Sequence, residues 1–128
     1  MARKKILVID DEPGIREELK LWLEDLNYQV TTASNGLEGL ERLKETKPHL
    51  IILDIIMPRM DGFDFLFKIK RSSETYSLPV IVLSARPETA SILKSLELQA
   101  TDYVIKPFNQ KELLKLIKRY ENSEFTAA

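Results

Sequence analysis

The sequence predicts an α/β domain: a doubly wound, five-stranded parallel sheet with helices on both faces. Three observations carry this. Five short runs of aliphatic or β-branched residues recur along the chain. Each is followed by a stretch with apolar residues three and four positions apart, the period of an amphipathic helix. The strand–helix unit repeats at roughly 20 to 30 residues, a spacing that calls for parallel strands joined by right-handed helical crossovers.

The elements follow in order. Lys5 to Ile9 is an apolar run closed by Asp10 and Asp11. Pro13 suits a first helical position, with acidic residues where a helix N-terminus favours them. Ile15, Leu19, Trp22, Leu23 and Leu26 form the apolar stripe of the first helix, and Asn27 stops it. Tyr28 to Ala33 is the second strand. Asn35 with Glu38 three residues later makes a capping box for a helix through Leu37, Leu40 and Leu43, broken at Pro48. Leu50-Ile51-Ile52-Leu53 then reads as a strand buried on both faces, ending in Asp54. Pro58 and Gly62 bracket a tight loop, with Asp61 near the start of a helix carrying Phe63, Leu66, Phe67 and Ile69. Leu78 to Leu83 is the fourth strand, closed by Ser84. Pro87 opens a fourth helix with Ala90, Leu93 and Leu96 as its apolar stripe. Asp102 to Ile105 is the last strand, ending at Lys106-Pro107, and Asn109 caps a final helix with Leu113, Leu114, Leu116 and Ile117. Trp22, Phe63 and Phe67 are expected in the core.

At 128 residues the chain is one ordinary domain, expected to occupy 1–122 with a tail over 123–128 that has little to bury. It has no cysteine, which excludes disulfides, thiol nucleophiles and cysteine metal sites. With 19 basic and 20 acidic residues, the net charge of −1 leaves no electrostatic footprint for nucleic acid. The basic N-terminus is followed by an apolar run too short for a signal peptide or a membrane span. A soluble cytoplasmic protein is expected.

The strand ends carry the chemistry. Parallel strands place Asp10, Asp11, Asp54, Ser84 and Lys106 along one rim, where open α/β sheets bind their ligands. Alone, the Asp10-Asp11 pair serves equally as a helix cap, and Lys106-Pro107 reads as a strand-to-helix turn before it reads as a phosphate ligand. Together they crowd three carboxylates, and two such charges about 4 Å apart repel by roughly 4 kcal/mol at an effective dielectric near 20. Lys106 offsets part of this, and a hard divalent ion such as Mg²⁺, which takes oxygen ligands, offsets the rest. Such a site suits a phosphoryl group, with a carboxylate as nucleophile. His49, the single histidine, lies at the far end of the strand from Asp54, roughly 16 Å away, and is expected at the surface. The Lys111, Lys115 and Lys118 series reads as a solvated helix face.

Asp10-Asp11, the run Leu53-Asp54-Ile55-Ile56-Met57-Pro58-Arg59-Met60-Asp61-Gly62, Ser84-Ala85 and Asp102-Tyr103-Val104-Ile105-Lys106-Pro107-Phe108 together resemble the receiver domain of two-component response regulators. The resemblance covers about Lys4 to Tyr120. It implies the flavodoxin-like strand order 2-1-3-4-5 and a signalling switch that catalyses its own phosphotransfer and dephosphorylation. Asp54 would accept a phosphoryl group from a sensor histidine kinase or histidine phosphotransfer protein. Asp11 and Asp54, with the carbonyl of Ile56, would hold Mg²⁺ directly, and Asp10 through water. Lys106 and Ser84 would bind phosphoryl oxygens, and Tyr103 would follow Ser84 from an outward to an inward rotamer. The face of the fourth helix, fifth strand and fifth helix would then meet a downstream effector protein or output domain, with homodimerisation on phosphorylation a further option. The resemblance also implies a cis Lys106-Pro107 bond.

Two positions depart from the family pattern, and two more bear on rate. Ser84 replaces the commoner Thr. Gln99 stands where Gly usually ends the fourth helix, so that end is expected to be strained or differently capped. Ile56 and Arg86 occupy positions that tune hydrolysis of the acyl phosphate, and an apolar Ile56 leans towards a longer-lived phosphoryl state. Competing readings are a phosphatase with an aspartyl intermediate and a docking module that is never phosphorylated. The haloacid-dehalogenase pattern needs an acid where Ile56 stands, and a flavin- or nucleotide-binding reading lacks any glycine-rich phosphate loop, the turns after the first and third strands carrying acid instead.

Overall fold

The computed structural model describes residues 3–121 apart from Pro58 and Pro87. Readings that involve those two prolines, and the tail over 123–128, lie outside the described residues. Five parallel strands, β1 (Lys5–Ile9), β2 (Gln29–Ala33), β3 (Leu50–Leu53), β4 (Val80–Ser84) and β5 (Asp102–Ile105), are ordered β2-β1-β3-β4-β5. They alternate with α1 (Pro13–Asp25), α2 (Gly36–Thr46), α3 (Gly62–Lys70), α4 (Thr89–Glu97) and α5 (Gln110–Tyr120).

Side chains of successive strand residues point to opposite faces, so each central strand feeds two cores. Leu7, Ile9, Ile51, Leu53, Val80 and Val82 pack with Phe65, Leu66 and Ile69 of α3 and Leu43 of α2. Ile6, Val8, Leu50, Ile52, Ile81 and Leu83 pack on the other face with Leu19 and Leu23 of α1 and Leu113 and Ile117 of α5. Burying a side chain of this size contributes about 1.5–3 kcal/mol. That explains why the central strands are unbroken aliphatic runs.

Local signals set the helix ends. The side chains of Asn35, Asp61 and Asn109 accept from the backbone amides of Glu38, Asp64 and Glu112, at 2.9, 3.0 and 3.1 Å. Gln99, in the left-handed region at φ 72°, ends α4, and the amide of Ala100 beyond it donates to the Ser95 carbonyl at 2.9 Å. The helix is therefore closed by a left-handed turn without the glycine that takes this conformation most cheaply. The Lys106-Pro107 bond is cis.

Two expectations about packing fail. The apolar stripe assigned to α4 points outward: Leu93 is 53% and Leu96 47% exposed, while the helix buries Ser91 and Ser95. The Ser95 hydroxyl donates to the Ser91 carbonyl at 3.0 Å, so a small polar side chain enters the interior with its hydrogen bond made. Phe67 is 47% exposed and stacks under the Arg71 guanidinium, 4.2 Å from the ring centroid, whereas Phe65 fills the core. Trp22 and Phe63 are only half-buried. The fourth strand also begins later than expected and includes Ser84.

Candidate functional site

The residues at the strand ends are held by ladder bonds that run one step past the sheet. The Asp10 amide donates to the Ala33 carbonyl at 3.1 Å, the Asp54 amide to Ile9 at 2.8 Å, and the Lys106 amide to Ser84 at 2.8 Å. Each functional side chain thus starts from a backbone position fixed by its neighbour strand. Carboxylate oxygens of Asp10, Asp11 and Asp54 all lie within 4.8 Å of one another. The Lys106 ammonium sits among them, 2.7 Å from Asp10, 3.2 Å from Glu12 and 3.6 Å from Asp54.

Burial makes this cluster expensive. Asp54 is only 5% exposed. Burial, and next the charge of Asp10, push its carboxyl up to about 7 against the pull of Lys106. Burial also raises Asp10, opposed by its bond to Lys106. For Lys106, burial works against the charge, but its contacts with Asp10 and Asp54 outweigh it and hold the ammonium above its usual range. An all-oxygen donor set with surplus negative charge fits a hard divalent cation.

Gly62 sets how closely the loop after β3 can fold back. Its amide donates to the Ile55 carbonyl at 2.8 Å, and a Cβ there would collide with the carbonyl oxygen of Asp54. Ser84 is fully buried, and its hydroxyl accepts from the Arg86 amide at 3.3 Å. The Tyr103 hydroxyl donates to the Arg86 carbonyl at 2.6 Å, which turns this side chain towards the loop after β4. Ile56 is exposed, and its amide donates to the Asp54 carboxylate at 3.3 Å. The fold therefore gathers Asp10, Asp11, Asp54 and Lys106, and links Ser84, Arg86 and Tyr103 in an adjoining group. Two participants were not foreseen. Glu12 shares Lys106, and Arg16 donates to the Asp10 carbonyl at 2.8 Å. Their sequence signal was proximity to the acidic pair.

Comparison with known proteins gives a family model for the response regulator receiver domain matching residues 6–118. The chain belongs to the response regulator receiver domain family. A probable transcriptional regulator, ycf27, of Cyanophora paradoxa is 40% identical over 124 residues, covering 94% of this chain and 51% of the relative. The chain spans about half the length of the curated relatives it matches. Among solved structures, the Vibrio cholerae chemotaxis protein CheY4 is 32% identical with a TM-score of 0.87, covering 93% of this chain and 99% of that one. The Thermotoga maritima response regulator TrrA, in complex with Mg²⁺ and BeF, is 38% identical with a TM-score of 0.81, covering 91% and 98%. The chain is thus a receiver domain of the two-component response regulators, with the doubly wound fold of that family. Among the described residues of this receiver domain, no helix is long and apolar enough to cross a membrane.

Proposed function

We propose that Asp54 is the phosphoryl acceptor of this receiver domain, and that its phosphorylation by a histidine kinase or histidine phosphotransfer protein switches the surface around β5. The observation that carries this reading is the buried Asp54 carboxylate at the end of β3, with two further carboxylates and one ammonium around it. A carboxylate oxygen of Asp54 attacks phosphorus, the P–N bond to the donor imidazole breaks, and the imidazole keeps the electron pair and gains a proton from solvent. The product is an acyl phosphate. Attack needs the ionised carboxylate, which burial disfavours and nearby positive charge favours.

Asp10, Asp11, Asp54 and the Ile56 carbonyl would hold Mg²⁺; when bound, the ion supplies charge neutralisation for the phosphoryl oxygens. Lys106, already charged and shared among carboxylates, is positioned to trade one of them for a phosphoryl oxygen. The Ser84 hydroxyl would take another, and the Tyr103–Arg86 contact would carry the change to the loop before α4. Leu93, Leu96 and Ile105, all exposed on α4 and β5, would meet an effector, an output domain or a second copy. Ile56 and Arg86 would set the lifetime of the phosphoryl state, with the apolar Ile56 offering water no hydrogen bond. The complex of the Thermotoga relative with Mg²⁺ and BeF supports the same use of the rim.

The test is intact-protein mass after incubation with Mg²⁺ and acetyl phosphate, for the wild type and Asp54→Asn. One added phosphoryl group that requires Mg²⁺ and is absent in the variant is expected. No gain in either protein would leave a docking module as the better reading.

A further inference from the structure

The opposite rim of the sheet carries a second concavity. A groove of about 900 Å³ opens between the C-terminal ends of α2 and α3, beside the segments that lead into β1, β3 and β4. Leu40 and Leu78, both half-buried, supply its apolar surface above the buried Leu43 and Ile69, and the ammonium-bearing residues Lys4, Lys44, Lys47 and Lys68 stand around it. Among the described residues, none of these four lysines is in an ion pair.

Helix dipoles account for only part of this. Lys44 and Lys68 lie in the last turns of α2 and α3, where a cation is favoured. Lys4 precedes a strand. Lys47 is held in the left-handed region at φ 49°, where Gly or Asn costs less. Of the two carboxylates in the lining, Glu121 accepts from the Tyr28 hydroxyl and lies 3.9 Å from Lys118, leaving Glu74 against four cations. His49 adds a neutral donor. Its Nδ1 accepts the Lys5 amide at 3.0 Å, which places the ring hydrogen on Nε2. Ser72 and Ser77 add hydroxyl groups to the lining. The volume falls in the usual range for small-molecule sites.

An anion alone would leave the apolar surface uncovered, and an uncharged ring would leave the ammonium groups unused. We infer that this groove binds a nucleoside polyphosphate, with its ring system on the Leu40–Leu78 floor and its phosphates among Lys4, Lys44, Lys47 and Lys68. The groove and the acidic rim share no lining residue, so this reading stands apart from that of Asp54.

The experiment is a ¹H–¹⁵N NMR titration in EDTA with ADP, pyrophosphate or adenosine. It uses Asp54→Asn as the background, so that events at the acidic rim are kept out, with and without the pair Lys44→Ala and Lys68→Ala. Saturable ADP shifts at the amides of Lys44, Lys47, His49 and Ser72, with a dissociation constant below about 1 mM, are expected. Pyrophosphate and adenosine should each bind at least about tenfold more weakly, and the double lysine variant should weaken ADP by about tenfold or more. Because both lysines are exposed, the variant's remaining spectrum should be unchanged, which separates lost binding from lost folding. ADP shifts that fail to saturate by about 5 mM, shifts confined to the Asp10–Lys106 rim, or undiminished binding by the lysine variant would each overturn the proposal. Pyrophosphate binding as tightly as ADP would overturn it too, because the groove would then read only charge.

Discussion

α4 and α5 flank the same strand and are attached to it by different physics. α5 is capped by the Asn109 side chain and buries Leu113 and Ile117 completely. α4 has no side-chain cap at Glu88, buries two serines, and shows Leu93 and Leu96 to solvent. The hydrophobic effect fastens α5; α4 turns two small serines inward, and the Ser95 hydroxyl is satisfied within the helix itself by the Ser91 carbonyl. The difference assigns them different work. Moving α4, the helix next to Ser84 and Arg86, would uncover little apolar surface, whereas moving α5 would uncover two fully buried side chains.

Substitutions can break or sharpen that contrast. Leu113→Ala should destabilise most, by about 2–5 kcal/mol in urea unfolding, as a fully buried leucine does. A loss below about 1 kcal/mol would mean that α5 is not held by burial. Asn109→Ala should cost about 1 kcal/mol through loss of the cap on the Glu112 amide, read from the same unfolding curves. Gln99→Gly should raise stability by about 0.5–1 kcal/mol, because it relieves a left-handed backbone at the end of α4. Glu88→Ser should gain about 0.5 kcal/mol by supplying the cap that α4 lacks, and added helix protection in amide exchange should be confined to α4. The smallest effect belongs to Leu93→Ser, within about 0.5 kcal/mol. A large loss there would show that the outward face of α4 is covered.

Much of this was legible in the residues, for reasons that also explain the failures. Central parallel strands are buried on both faces, so Leu50 to Leu53 and Val80 to Leu83 could hardly be anything else. Asn35, Asp61 and Asn109 announce helix starts by a local hydrogen bond, and strand ends must share a rim once the sheet is parallel. α4 was misread because its buried residues are serines, which periodicity scores as polar although Ser95 satisfies its hydroxyl internally. Phe67 and Phe65 lie two residues apart, and a short helix with three phenylalanines leaves the buried stripe ambiguous. The division of Lys106 among Asp10, Glu12 and Asp54 depends on distances that no spacing encodes. The basic groove draws residues from several segments that acquire a common edge only on folding.

The missing side chain at residue 62 has a mechanical consequence. With only a hydrogen between the start of α3 and the Asp54 carbonyl, the helix and the end of β3 touch backbone to backbone, without a pliable side chain as a cushion. Lys68 and Ile69, about 9–10 Å along the axis of α3 from Gly62, line the basic groove. The helix is a short rod with one tip against the Asp54 backbone and the other beside the groove.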